Sequence, residues 1–199
     1  MTTAQPPADL VERHAVRAAS SAVMAMTLFV ASEAVFFGAF FGIYASAYTA
    51  SKVWPPADVS APGLRLPTIS TAVLVFGGLS MLLARRASRR DDFPHRSVAW
   101  LWVTLTSAIA FLVLVVVSLP DTHFGIGQGV FESLFYTITA LAMAHVFGGI
   151  VLLTLVIGRA RAGELAFQRE PLQAASIYWY FVVVLGVVIY LLLYVAAAD

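Results

Sequence analysis

Five apolar runs separated by short polar connectors limit what this chain can become. They cover about residues 21–49, 67–84, 98–119, 131–157 and 174–198. At about 1.5 Å of rise per residue, each is long enough as a helix to cross a hydrocarbon core of about 30 Å. The connectors KVWPPADVSAPGLRLP, RRASRRDDFPHR, PDTHFGIGQG and GRARAGELAFQREP collect most of the proline, glycine and charge, and no soluble domain fits between them. The chain is therefore predicted to be all-α and polytopic: five antiparallel transmembrane helices within residues 21–199, behind a polar N-terminal tail of residues 1–20. That tail reads as retained, because the run after it is longer than a signal-peptide core and has no cleavage-like end. Composition agrees, since 12% of the residues are charged against roughly a quarter in soluble domains.

Basic residues divide unevenly among the connectors, and this division predicts the orientation. The tail carries Arg13 and Arg17, the second connector Arg85, Arg86, Arg89, Arg90 and Arg96, and the fourth Arg159, Arg161 and Arg169. The first connector has only Lys52 and Arg65, and the third has neither lysine nor arginine. Ten basic residues thus stand against two, which places the N-terminus in the cytoplasm and, after five crossings, the C-terminus outside. Trp54 then lies where an interfacial anchor is expected. The basic second connector suits topology and lipid headgroup contact.

Other features exclude whole classes of chemistry. Without cysteine there is no disulfide, thiolate nucleophile, iron–sulfur cluster or Cys-built zinc site. His14, His95 and His123 fall in the tail or connectors and His145 stands alone in a span, so no helix offers paired histidines at haem or copper spacing. A net charge of +1 argues against nucleic acid, and FGIGQG is a flexible turn with no phosphate-loop pattern around it.

Only Glu33 and His145 are ionisable groups deep within the spans. Counting from Ser21, Glu33 lies about 18 Å into the first helix, and His145 about 21 Å into the fourth. An isolated polar group in hydrocarbon costs several kcal/mol, so the two are expected to satisfy each other inside the bundle as a buried polar pair. Phe36, Phe37, Phe40, Phe41 and Tyr44 follow Glu33 at helical spacing and form a face for lipid or for helix packing; Trp179 on the last helix is assigned to the same role. On the fourth helix Ala140, Ala144 and Gly148 form a small-residue row that would let another helix approach closely. Ser133, Tyr136, Thr137 and Thr139 add hydroxyls able to bond their own backbone.

In chain order the segments SEAVFFGAFFGIYASAY, WPP, LPTISTAVLVFGGLSM, FESLFYTITALAMAHVFGGIVLL and SIYWYFVVVLGVVIYLLLYV resemble subunit III of haem-copper cytochrome oxidases, over about residues 28–195. In that family a Ser-Glu pair followed by aromatics marks a buried glutamate, matching Glu33. A Phe-Tyr pair followed by His-Val matches Phe135, Tyr136, His145 and Val146. Larger members have seven helices and many bacterial members keep the last five, which is the form this chain is similar to. It also departs from the pattern. A second family histidine falls at Ala142; the final helix reads Tyr178-Trp179-Tyr180-Phe181 where Tyr-Trp-His-Phe is usual, with Val183 where an aspartate follows; and valines around Val115 and Val116 replace a Glu-Tyr pair.

The resemblance implies a subunit of a terminal oxidase in the bacterial cytoplasmic (inner) membrane, with no catalytic residue, cofactor or metal ligand of its own. Haem and copper would lie in partner subunits, with the chain packed against the catalytic subunit I and with subunit II in the complex. The complex would reduce O2 to water and pump protons, and this chain would support its stability, lipid binding and proton uptake, with phospholipid bound. Two alternatives stay open: an accessory subunit of a nitric oxide reductase or another divergent haem-copper complex, and a small independent transporter using Glu33 and His145 as a proton relay.

Overall fold

A computed structural model describes residues 8–57, 59–89, 95–162 and 170–197, with side chains from residue 21 onward. Its elements are α1 (Ala8–Ala50), α2 (Arg65–Ala87), α3 (His95–Ser118) with a 3-10 turn at Leu119–Thr122, α4 (Val130–Arg161) and α5 (Glu170–Tyr190), which widens into a π turn at Leu191–Val195. No strand occurs among the described residues. Five stretches, Ser21–Ala50, Arg65–Ala87, His95–Thr122, Val130–Arg161 and Glu170–Val195, are long and apolar enough to cross a membrane.

Local chemistry sets the helix ends. Pro67 sits in the first turn of α2, where a backbone N–H would have no intrahelical partner and its absence costs little. α3 runs out at Leu119 and Pro120, after which His123 takes a left-handed conformation (φ 56°) and Gly127 another (φ 82°) to turn the chain into α4. α1 starts well before the residue 21 expected for the first span. From Ala8 no proline or glycine interrupts the sequence until Gly38, so the polar stretch to residue 20 continues the helix. Residues 1–7 of the expected tail lie outside the described residues, as do Arg90 and Arg169.

α2 and α3 form the most extensive antiparallel pair, and α5 packs against α1, α2 and α4. Glycines govern the closest approaches. A Cβ at Gly149 would lie 2.8 Å from the Trp179 ring, one at Gly77 would meet the Ser107 hydroxyl, and one at Gly186 would meet Leu74. The small-residue row expected to serve this purpose on α4 does not: Ala140 and Ala144 are exposed, and only Gly148 faces a helix, beneath the Tyr178 hydroxyl. The inward face of α4 is instead fixed by the large buried side chains Phe135, Ile138, Val146 and Leu153, and Gly149, not Ala140 or Ala144, lies on it.

α1 is peripheral. Its apolar window is 6% buried, against 33–44% for the other four spans. Its apolar contact is one narrow seam, where Phe37 and Tyr44 are buried against the bundle, which gives weight to any polar tie made along it.

Candidate functional site: an intramembrane carboxyl–imidazole pair

Three helices build the site, with Glu33 on α1, His145 on α4 and an aromatic wall contributed by α1 and α5. His145 Nε2 lies 3.0 Å from Glu33 Oε2, and His145 Nδ1 lies 2.8 Å from the Leu141 carbonyl oxygen one turn back on α4. A carbonyl only accepts, so Nδ1 carries a proton and donates it to Leu141. That assignment leaves Nε2 to share one further proton with Glu33. Either a protonated carboxyl donates to neutral Nε2, or an imidazolium donates to the carboxylate; both arrangements are neutral overall and avoid an isolated charge in the low-dielectric interior.

Aromatic rings hold the imidazole in place. Phe37 meets it edge-on with centroids 5.0 Å apart, Phe181 does so at 6.4 Å, and Tyr178 stacks on it at 6.5 Å with planes 15° apart. The Tyr178 hydroxyl donates to the His145 carbonyl oxygen at 2.8 Å, so α5 grips the backbone of α4 at the residue that carries the imidazole. The two side chains of the pair remain 14% and 21% exposed for His145 and Glu33, which places the pair at the seam of α1 with the bundle.

The aromatic face after Glu33 divides. Phe37 and Tyr44 are buried, Phe40 and Phe41 are half-buried, and Phe36 is 44% exposed on the outward side. Residues at i+3, i+4, i+7, i+8 and i+11 spread over too wide an arc for a peripheral helix to bury them all. Tyr44 makes a second tie: its hydroxyl donates to the Leu192 carbonyl at 2.7 Å and accepts from Trp54 Nε1 at 2.9 Å. Trp54, expected as an interfacial anchor, thus also braces the first connector against α1. Trp179 is a core residue, 1% exposed, so of its two assigned roles it has the packing one.

Of the α4 hydroxyls, Ser133 donates to Gly129 and Tyr136 to Phe124, Thr137 is exposed, and Thr139 is buried with no partner among the described residues. Sequence reasoning passed over Tyr178 and Glu132. Tyr178 was visible only as part of an aromatic run. Glu132 stands near a span end in the sequence, yet it is 3% exposed, folded back on Gly129, with one oxygen unpartnered among the described residues. No group of three or more His, Asp or Glu among the described residues is placed to hold a metal ion.

The fold and site together define a class: a small multi-pass helical membrane protein whose outermost span is fastened to the bundle by polar ties set in a narrow apolar seam. The sequence profile of cytochrome c oxidase subunit III matches residues 7–198, and the chain belongs to that family. It is 31% identical over 175 residues to the cytochrome c oxidase subunit 3 of Thermostichus vulcanus, covering 87% of this chain and 86% of that one. With the namesake from Alkalihalophilus pseudofirmus it shares 28% identity over 172 residues, 83% and 82% of the two chains. With that of Bos taurus it shares 29% over 176 residues, 85% of this chain and 67% of the bovine one.

Proposed function

We propose that this chain is the non-redox subunit III of a bacterial haem-copper terminal oxidase in the cytoplasmic membrane, packed against catalytic subunit I and assembled with subunit II. Its N-terminus lies in the cytoplasm and its C-terminus outside, a reading that rests on the ten-to-two division of basic residues. Haem and copper belong to the partner subunits; this chain supplies stability, lipid binding and support of proton uptake. The outward aromatic Phe36 and the largely uncovered α1 suit contact with phospholipid chains.

The observation that carries this reading is the closed nature of the pair. His145 uses both nitrogens on partners within the chain, one of them backbone, and rings from α1 and α5 pack around it. A relay would need further carboxyls or imidazoles leading away, and no other such side chain lies deep in the spans; the hydroxyl of the neighbouring Tyr178 is engaged with the His145 backbone carbonyl. The pair therefore serves as a structural tie, with no catalytic role. The relatives named above are cytochrome c oxidase subunits, which favours that complex over a nitric oxide reductase. Affinity purification of the tagged chain in mild detergent tests the proposal. Haem absorbance and O2 consumption should travel with it, and a chain that purifies without haem would refute the assignment.

A further inference from the structure

Hydroxyl side chains within the spans follow a common habit. Ser70, Ser80, Ser107 and Ser118 each donate to the carbonyl three residues back, and Thr104 and Thr154 to the one four back. Thr139 breaks it. The residue is 7% exposed and its hydroxyl has no hydrogen-bond partner among the described residues. A helical threonine can reach the preceding turn by choice of rotamer, so its unmade bond shows the hydroxyl directed elsewhere. It lines a cavity of about 40 Å³ between α2, α3, α4 and α5, together with Ser70, Thr71, Ser118, Tyr194 and the small Ala142.

Water fits this cavity by size and by chemistry. Roughly 10 to 15 Å³ open to a water's centre suffices for one molecule, provided two to four polar partners are present. Ser70 and Ser118 have donated their protons to carbonyls and keep lone pairs to accept from water, while Thr139 can both donate and accept. The cavity is also not isolated. Pro67, Ser118 and Tyr194 line it and equally line a cleft of about 320 Å³ at the bundle end, where α2 begins and α3 finishes. Arg65 and Asp121, both exposed, line that cleft, and two ionised side chains keep it hydrated because stripping water from either is costly.

We propose that cleft and cavity form one hydrated passage, in which water enters past Arg65 and Asp121, passes Tyr194 and binds Thr139 about 14 Å along α4 from its first residue. The bound water supplies the hydrogen bond that Thr139 does not make to its own helix. The passage is separate from the Glu33–His145 seam and does not depend on the assembly proposed above, so failure of either leaves the other standing.

The natural absence of cysteine makes the test direct. Thr139→Cys places the chain's one thiol on the cavity wall; Ala108→Cys places one in the packed core of α3, at a residue 0% exposed that does not line the cavity. Each variant, in native membrane vesicles, is exposed to silver ion from the cleft side, then denatured and alkylated, and the mass of this chain reads the fraction of thiol that silver had blocked. Silver ion needs a water path, since a bare ion in a dry core is strongly disfavoured; the Thr139→Cys thiol should therefore be blocked at least about tenfold faster than the Ala108→Cys thiol. Equal rates would overturn the passage. Independently, and with no variant to fold, an experimental map of the unsubstituted protein fine enough to show waters should carry density at hydrogen-bond distance from Thr139 Oγ1. A featureless cavity there would also overturn it.

Discussion

Replacing Glu33 by leucine tests what fastens α1. The variant removes the group 3.0 Å from His145 Nε2 and leaves that nitrogen facing an apolar side chain, and an unmet buried polar atom costs about 1 to 3 kcal/mol. Because the pair lies at mid-depth in the spans, the 14% and 21% of side-chain surface left open faces hydrocarbon in place of water, so nothing offsets the loss and the full range, about 1 to 3 kcal/mol, is expected. His145→Leu should cost a similar amount by stranding the carboxyl. The double variant carries the argument. With both partners apolar nothing is left unmet, so it should cost about 1 to 3 kcal/mol less than the sum of the single changes. Glu33→Gln should stay within about 1 kcal/mol of the parent, since the amide N–H can donate to Nε2 while Nδ1 keeps its bond to Leu141. The assay is unfolding in mixed micelles by added SDS, followed through the near-ultraviolet circular dichroism of the tryptophans, of which Trp54 and Trp179 sit in packed surroundings. Strict additivity of the two leucine changes would refute the pairing as a stabilising tie.

Three further outcomes follow from the geometry. Gly149→Ala should destabilise by about 1 to 3 kcal/mol in the same assay, because the new methyl meets a Trp179 ring with no room to retreat; Gly158→Ala, with nothing within 4 Å, should be neutral or stabilise by up to about 1 kcal/mol. Tyr44→Phe removes the donor to Leu192 and the acceptor for Trp54 and should cost about 1 to 2 kcal/mol, seen as a lower unfolding midpoint with an altered tryptophan signal. Cysteines placed at residues 89 and 123 should label with an impermeant maleimide from opposite sides of the membrane; labelling from one side would reject the orientation drawn from the basic residues.

Five spans and the two deep polar residues were legible because each depends on local sequence alone: the length of an apolar run, and the cost of a carboxyl or an imidazole inside one. Which face of a helix turns inward was less legible, and α4 shows why. Ala140, Ala144 and Gly148 make a regular small-residue row, yet only its last member faces a helix and the closest approach is at Gly149 beside it, because the facing group is Trp179 and a side chain of that size dictates where the opposite helix must be bare. That partner lies thirty residues away in the chain, and no pattern within α4 encodes it. The split of the aromatic face after Glu33 has the same origin, since a row of five rings can be buried on all sides only if the helix is central, and the position of α1 in the bundle is a property of the other four.

The peripheral place of α1 in turn explains why its fastening is polar. An apolar helix surrounded by lipid gains little by exchanging lipid for protein, because both are equally apolar. Directional contacts discriminate where apolar area does not. A carboxyl–imidazole bond at mid-depth and a tyrosine–carbonyl bond nearer the connector, Glu33 to His145 and Tyr44 to Leu192, hold the helix at two heights on two different partners and so fix both its tilt and its rotation. Either bond alone leaves a pivot. Breaking one should therefore loosen the helix about the other before it detaches: the Glu33→Leu variant is expected to raise the mobility of a spin label at residue 29 far more than that of one at residue 48, and Tyr44→Phe to do the reverse. Equal mobility changes at both positions in both variants would mean that α1 is held along its whole length by packing, against its 6% burial.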